Sequence, residues 1–164
     1  MLTGHEPYPA LAIDRHWTLV SYNRAVLPLL AGVAPELLQP PLNVLRLSLH
    51  AGGLAPRIVN LGQWRAHLLA RLRQQVVVSA DPVRAALADE LRAYPAPSEL
   101  HAEVTEAAVV MPLVLATPAG TLSFITTTTV FGTPVDITLS ELALETLFPA
   151  DAATARALRA ALDG

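Results

Sequence analysis

The chain has 164 residues and a mass of 17.4 kDa, which fits one domain, since domains cluster near ~100–150 residues. It contains no cysteine, so a disulfide framework, a thiolate zinc site, an iron–sulfur site and a cysteine nucleophile are all excluded. Apolar residues make up 52% and charged residues 15%, a composition opposite to that of a disordered chain.

All 11 basic residues are arginine, in keeping with a compositional bias toward Ala, Leu, Arg and Pro. The charges are unevenly placed. Residues 1–92 carry nine arginines and six acids, a balance of +3, while residues 93–164 carry two arginines and eight acids, a balance of −6. Neither half offers the clustered positive charge that a phosphate backbone requires. No direct nucleic-acid contact by this chain is therefore expected. The N-terminus, MLTGHEPYPALAIDRHW, lacks the basic segment and apolar run of a signal peptide. Residues 107–135 carry no charge, but Pro112, Pro118, Gly120 and Gly132 interrupt them, and Thr126–Thr129 are polar. They read as two buried strands joined by a turn rather than as a membrane span. A cytoplasmic location without a membrane partner is expected.

Residues 9–13 and 17–22 are short β-type runs around Asp14-Arg15-His16, the pattern of a hairpin. Asn23 is placed to cap a short helix that stops at Gly32. Pro35 opens another helical turn, which Pro40-Pro41 end. Residues 42–50 put Leu42, Leu45 and Leu49 on one helical face, and Gly52-Gly53 break that helix. A long helix is predicted over 61–78, with Trp64, Leu68, Leu72 and Val76 as its apolar stripe and Arg65, Arg71, Arg73 and Gln75 away from the stripe's center. Asp81-Pro82 is a strong helix start; that helix runs to about Tyr94 and buries Val83, Leu87 and Leu91. Ser98 can cap a further short helix. Residues 107–116 and 121–131 then read as strands around the turn TPAG. A third late strand begins at Val135, with Val135, Ile137 and Leu139 on one face. Beyond Ser140 the segment SELALETLF scores as both strand and helix. Asp151 caps a terminal helix. The order suggests an α+β architecture, one antiparallel sheet with helices packed on one face.

Catalytic and cofactor signatures are missing from the sequence. His5, His16, His50, His67 and His101 show neither HxxxH nor HExxH spacing. His101-Ala102-Glu103 lacks the downstream cysteines a deaminase zinc site needs. There is no GxSxG elbow, P-loop or GxGxxG. Glu141 and Glu145 read as a solvated acidic edge, because spacing alone does not make an acid–base pair. No cofactor, metal or enzymatic activity is expected. Thr126–Thr129 would alternate between the two faces of a strand. Trp64 reads as core first and ligand platform second. Arg46 is unusual, since it stands inside the apolar helix LNVLRLSL and needs either an ion-pair partner or an opening.

The segment PALAIDRHWTLVSYNRAVLPLL, with Pro9, Asp14, Arg15, Trp17 and Asn23, resembles the opening of the MmyB-like ligand-binding domain. Further matches follow in order: Asn43 with Arg46, the Trp64-led helix, Asp81-Pro82, Glu90-Leu91, and Pro118, Gly120 and Leu122 in a late turn and strand. The resemblance spans about residues 9–160. Two family features are absent: the tryptophan usual near His101–Val104, and the histidine before the late turn, where Thr117 stands. The resemblance implies a PAS-like fold over residues 1–164, with a five-stranded antiparallel sheet and helices inserted between strands 2 and 3. It implies the sensor part of a bacterial transcription regulator that reaches DNA through a separate helix-turn-helix domain. It also implies a small apolar ligand such as a fatty acid, and a homodimer. The candidate ligand-binding residues are Tyr22, Asn43, Arg46, Trp64, Leu68 and Phe124. The competing expectation is a dimerization or protein-interaction domain with a filled core.

Overall fold

The structure, a computed structural model, describes residues 1–96, 110–130 and 142–164. The Ser98 helix, the turn after Phe131, the strand positions Val135, Ile137 and Leu139, and Glu141 lie outside the described residues.

The early hairpin forms as the alternation predicts. Strands β1 (Ala10–Ile13) and β2 (Leu19–Tyr22) pair antiparallel. Asp14 shapes the turn, its Oδ1 accepting from the backbone N–H groups of His16 and Thr18 at 2.8 and 2.9 Å. Trp17 leaves that turn at φ +66°, a conformation that costs a bulky side chain energy and here aims the indole into the core, where it is 3% exposed. The predicted helix after Asn23 is a 3-10 turn over Arg24–Leu30, and the Pro35 turn is another, over Pro35–Leu38.

Helix α1 (Val44–Leu49) starts at Asn43, whose Oδ1 accepts from the N–H groups of Leu45 and Arg46. Gly53 packs so closely on the Leu47 carbonyl that a Cβ would collide with it. Helix α2 (Leu61–Ser79) buries Trp64, Leu68, Leu69 and Leu72; its stripe fades at half-buried Val76. Helix α3 (Pro82–Arg92) begins with Asp81 accepting from Val83 N–H at 2.9 Å. It buries Leu87, Ala88 and Leu91. Val83 corrects the expected stripe: it sits in the first turn, reaches past the core and is 52% exposed.

Strands β3 (Pro112–Thr117) and β4 (Gly120–Val130) form the second hairpin. Strand β5 (Ala143–Pro149) resolves the ambiguous segment in favor of a strand, because it fills the gap between two hairpins whose inner edges both lack partners. Helix α4 (Ala152–Asp163) is capped by Asp151, which accepts from Thr154 N–H at 2.7 Å.

The sheet order is β2-β1-β5-β4-β3, and every pairing is antiparallel. This open α+β sheet, with the described helices α1–α3 inserted between β2 and β3, is consistent with a PAS-like fold. Both edges receive partial cover, as exposed edges require. At β2, Leu19 N–H donates to Leu42 carbonyl at 2.8 Å. At β3, the Asn60 amide accepts from Val114 N–H and donates to Pro112 carbonyl at 3.1 and 2.7 Å. Register puts Leu11, Leu113, Phe124, Thr126, Thr128, Glu145 and Leu147 on one face of the sheet. Leu11, Leu113, Phe124 and Leu147 join Leu45, Leu49, Trp64, Leu68 and Leu72 of α1 and α2 in the core.

Candidate functional site

Between that sheet face, α1, α2 and the 24–30 turn lies a cavity of about 100 Å³. Its wall is mostly aliphatic, with Leu11, Val26, Leu29, Leu45, Leu54, Leu113 and Leu147 among the lining residues. Polar atoms enter from one group of side chains: Ser48, Arg71, Thr126 and Glu145.

Arg71 and Glu145 make the cavity's ion pair. The Arg71 guanidinium donates to Glu145 Oε1 and to Thr128 Oγ1, each at 2.7 Å. Thr128 Oγ1 stands 2.8 Å from the same carboxylate oxygen. The Glu145 side chain is only 8% exposed and that of Arg71 25%. The guanidinium also lies over the Trp17 ring, 4.6 Å from its center, a cation–π contact. Trp17 Nε1–H in turn donates to Gln75 Oε1 at 2.9 Å. Two turns of α2 before Arg71, Trp64 Nε1–H donates to Ser48 Oγ at 3.0 Å, and His67 stacks on the Trp64 ring.

Burial holds the His67 imidazole below its ordinary pKa of 6.5, with the Arg71 charge adding to that effect and Glu145 opposing it. A histidine that is harder to protonate when folded leaves the fold at full stability above the unfolded pKa, and stability is lost as pH falls below 6.5 toward the lower folded value. The urea midpoint of the wild-type protein should therefore fall further between pH 7.5 and pH 5.5 than that of His67→Gln. Parallel pH dependences for the two proteins would remove His67 from the acid response.

The structure brings two of the six sequence-derived candidates together at this cavity, Trp64 and Leu68. Phe124 is fully buried in the core but does not line it. Tyr22 is 45% exposed on strand β2, beside an open groove with Met1, Leu2 and Leu144. Asn43 is occupied as the α1 cap and donates its Nδ2 to His16 carbonyl at 3.0 Å. Arg46 finds an ion-pair partner. Its Nε and Nη2 donate to the two oxygens of Glu90 at 2.6 and 3.0 Å, tying α1 to α3. Tyr94 hydroxyl donates to the same carboxylate at 2.7 Å, and its pKa is pushed up to about 12, by burial first and then by that bond. Arg46 and Glu90 line a shallow outer groove with Asn43 and His16.

Both partners of the Arg46–Glu90 pair are well exposed, 44% and 38%, so solvent screens it, and exposed pairs contribute about 0–1 kcal/mol. Arg46→Gln is expected to lower stability by no more than about 1 kcal/mol, with ligand uptake in the cavity unchanged. A large loss of ligand affinity in this variant, with the fold intact by circular dichroism, would return Arg46 to the binding site.

The residues missed by sequence reasoning are Trp17, Ser48, Arg71, Thr126 and Glu145. For Arg71 a signal existed: it stands seven residues after Trp64, two helical turns along the same face. Glu145 corrects the reading of a solvated acidic edge, being 6% exposed and ion-paired. The alternation expected for Thr126–Thr129 is present, with Thr126 and Thr128 on the cavity side and Thr127 and Thr129 on the other. Among the described residues, no group of histidines and acids could hold a metal, and no helix is long and apolar enough to cross a membrane.

No curated protein matches this chain. The family model of the MmyB-like transcription regulator ligand binding domain matches residues 1–161. With its five-stranded sheet and the cavity beneath α2, the chain belongs to the family of MmyB-like transcription regulator ligand binding domains.

Proposed function

We propose that residues 1–164 form a non-catalytic sensing unit, which takes up a small ligand with a fatty-acid-like apolar chain and acts in the cytoplasm within a DNA-binding regulator. The observation that carries this reading is the cavity, whose wall is apolar apart from Ser48, Arg71, Thr126 and Glu145. Such a cavity accepts a chain together with a single polar end. Its size bears on the chain. An apolar cavity of about 150 Å³ takes up benzene, so ~100 Å³ accommodates only a few carbons unless the wall opens. A longer chain requires the 24–30 turn or Leu54 to move.

Native mass spectrometry of protein purified from cells tests the reading. A stoichiometric adduct that disappears on denaturation supports it. A bare polypeptide that also shows no saturable uptake of 1-hexanol or hexanoate overturns it.

The second reading, self-association, is favored by a different observation. An open apolar groove of about 700 Å³ runs beside edge strand β2, with Leu2, Val20, Tyr22 and Leu144 in its wall. Val20 is 55% exposed there. We carry this forward as a homodimer surface. Val20→Glu should shift the protein from dimer to monomer in sedimentation; an unchanged distribution would sink that surface.

A further inference from the structure

We infer that the cavity selects ligands whose polar end is a neutral hydrogen-bonding group, a hydroxyl or an amide, over ligands that end in a carboxylate. This inference rests on the sensing reading above.

Among the described residues, Arg71 and Glu145 are the only charged ones that line the cavity, and they are paired with each other at 2.7 Å. The site is therefore electrically balanced before any ligand enters. A carboxylate would bring a second anion toward a side chain that is only 8% exposed. Like charges in a poorly hydrated site repel strongly, and the Arg71 charge is already shared with Glu145.

Hydrogen-bond chemistry argues the same way. Glu145 Oε1 already accepts from Arg71 and lies 2.8 Å from Thr128 Oγ1. A carboxylate is an acceptor only. An ionized fatty acid therefore has no proton to offer Glu145. A hydroxyl or amide can donate to the Glu145 carboxylate while accepting from a hydroxyl or guanidinium N–H. Ser48 and Thr126, also on the wall, can bond a neutral end in either sense. Among the described residues, no second cation lines this place. His67 is the nearby titratable group whose charge feels both Arg71 and Glu145, and it lies stacked on Trp64 rather than on the cavity wall.

The test compares 1-hexanol with hexanoate at pH 7.5, chosen because both carry the same six-carbon chain, so any opening of the wall costs the two equally. Binding is followed by NMR shifts of residues around Arg71 in the full chain. Wild-type protein is expected to bind 1-hexanol at least about tenfold more tightly, the equivalent of roughly 1.4 kcal/mol. Glu145→Gln removes the anion and leaves Arg71 available, so the preference should narrow or reverse, with circular dichroism reporting the fold. Should that variant not fold, the wild-type preference still decides the matter.

Hexanoate binding as tightly as 1-hexanol, or more tightly, to the wild-type protein overturns the inference and leaves the sensing reading intact. A folded Glu145→Gln protein with an unchanged preference overturns the role given to Glu145. Absence of saturable binding by both probes, together with a bare native mass spectrum, overturns the sensing reading and this inference with it.

Discussion

Trp64→Ala is expected to destabilize the protein by about 3–5 kcal/mol, the range for truncating a large buried aromatic. The indole is 5% exposed, packs within the central cluster and spends its N–H on Ser48 Oγ at 3.0 Å. The alanine also leaves a void beside an existing cavity, so the neighboring leucines have space on two sides and gain little by collapsing. Urea unfolding would show a lower midpoint with an unchanged slope. Trp64→Phe separates the contributions, because it keeps an aromatic wall and loses only the bond to Ser48 and part of the area. Its loss should be near 1–2 kcal/mol, in line with a single hydrogen bond plus some packing. A loss below about 0.5 kcal/mol for Trp64→Ala, the size of an ordinary surface change, would contradict the placement of α2 against the sheet.

The second large effect is expected at Asn23. Its side chain makes no cap bond to the 3-10 turn that follows. Its Oδ1 accepts from Ala10 N–H at 3.1 Å, while Nδ2 donates to the carbonyls of Tyr8 and Leu2 at 2.9 and 3.2 Å. Asn23 is 2% exposed and Ala10 is fully buried. Asn23→Ala therefore strands a buried donor and an acceptor, and each stranded group costs about 1–3 kcal/mol. We expect a loss of roughly 2–4 kcal/mol, against about 1 kcal/mol if Asn23 were a simple helix cap.

Asn23→Asp gives a sharper reading. Its carboxylate can still accept from Ala10 N–H, but the other oxygen would face two carbonyls with no proton to donate. Protonation restores that donor, so this variant should regain stability relative to wild type as pH falls from 7 to 5. A steady deficit across that range would contradict the hydrogen-bond pattern at Asn23.

The sequence was informative where a rule is local. Asp81-Pro82 and Asp151 cap helices because a carboxylate two or three residues ahead of a free N–H satisfies it in any context. The two hairpins follow from β-type runs on either side of polar or Gly-containing turns. The ordered matches from Pro9 to Leu122 carried the family, since several of them, such as Asp14, Asn43, Asp81-Pro82 and Gly120, mark a turn, cap or helix start whose geometry depends on few neighbors.

The segment from which β5 (Ala143–Pro149) forms shows where locality fails. SELALETLF can be written on either period, and neither propensity nor pattern decides it. Two hairpins with open inner edges decide it, because a strand there satisfies both rows of backbone groups and a helix would satisfy neither. Glu145 became a buried acid only through that choice.

The two arginines show the same limit. In the sequence, Arg46 interrupts an apolar helix, and Arg71 lies beside the apolar stripe of another. Arg46 meets Glu90, 44 residues away, at the surface; Arg71 meets Glu145, 74 residues away, at the cavity. Spacing along the chain fixed the helical face each one occupies. Which face turns inward, and which carboxylate waits there, is settled only when the sheet closes around β5, because partners so far apart in sequence leave no periodic trace.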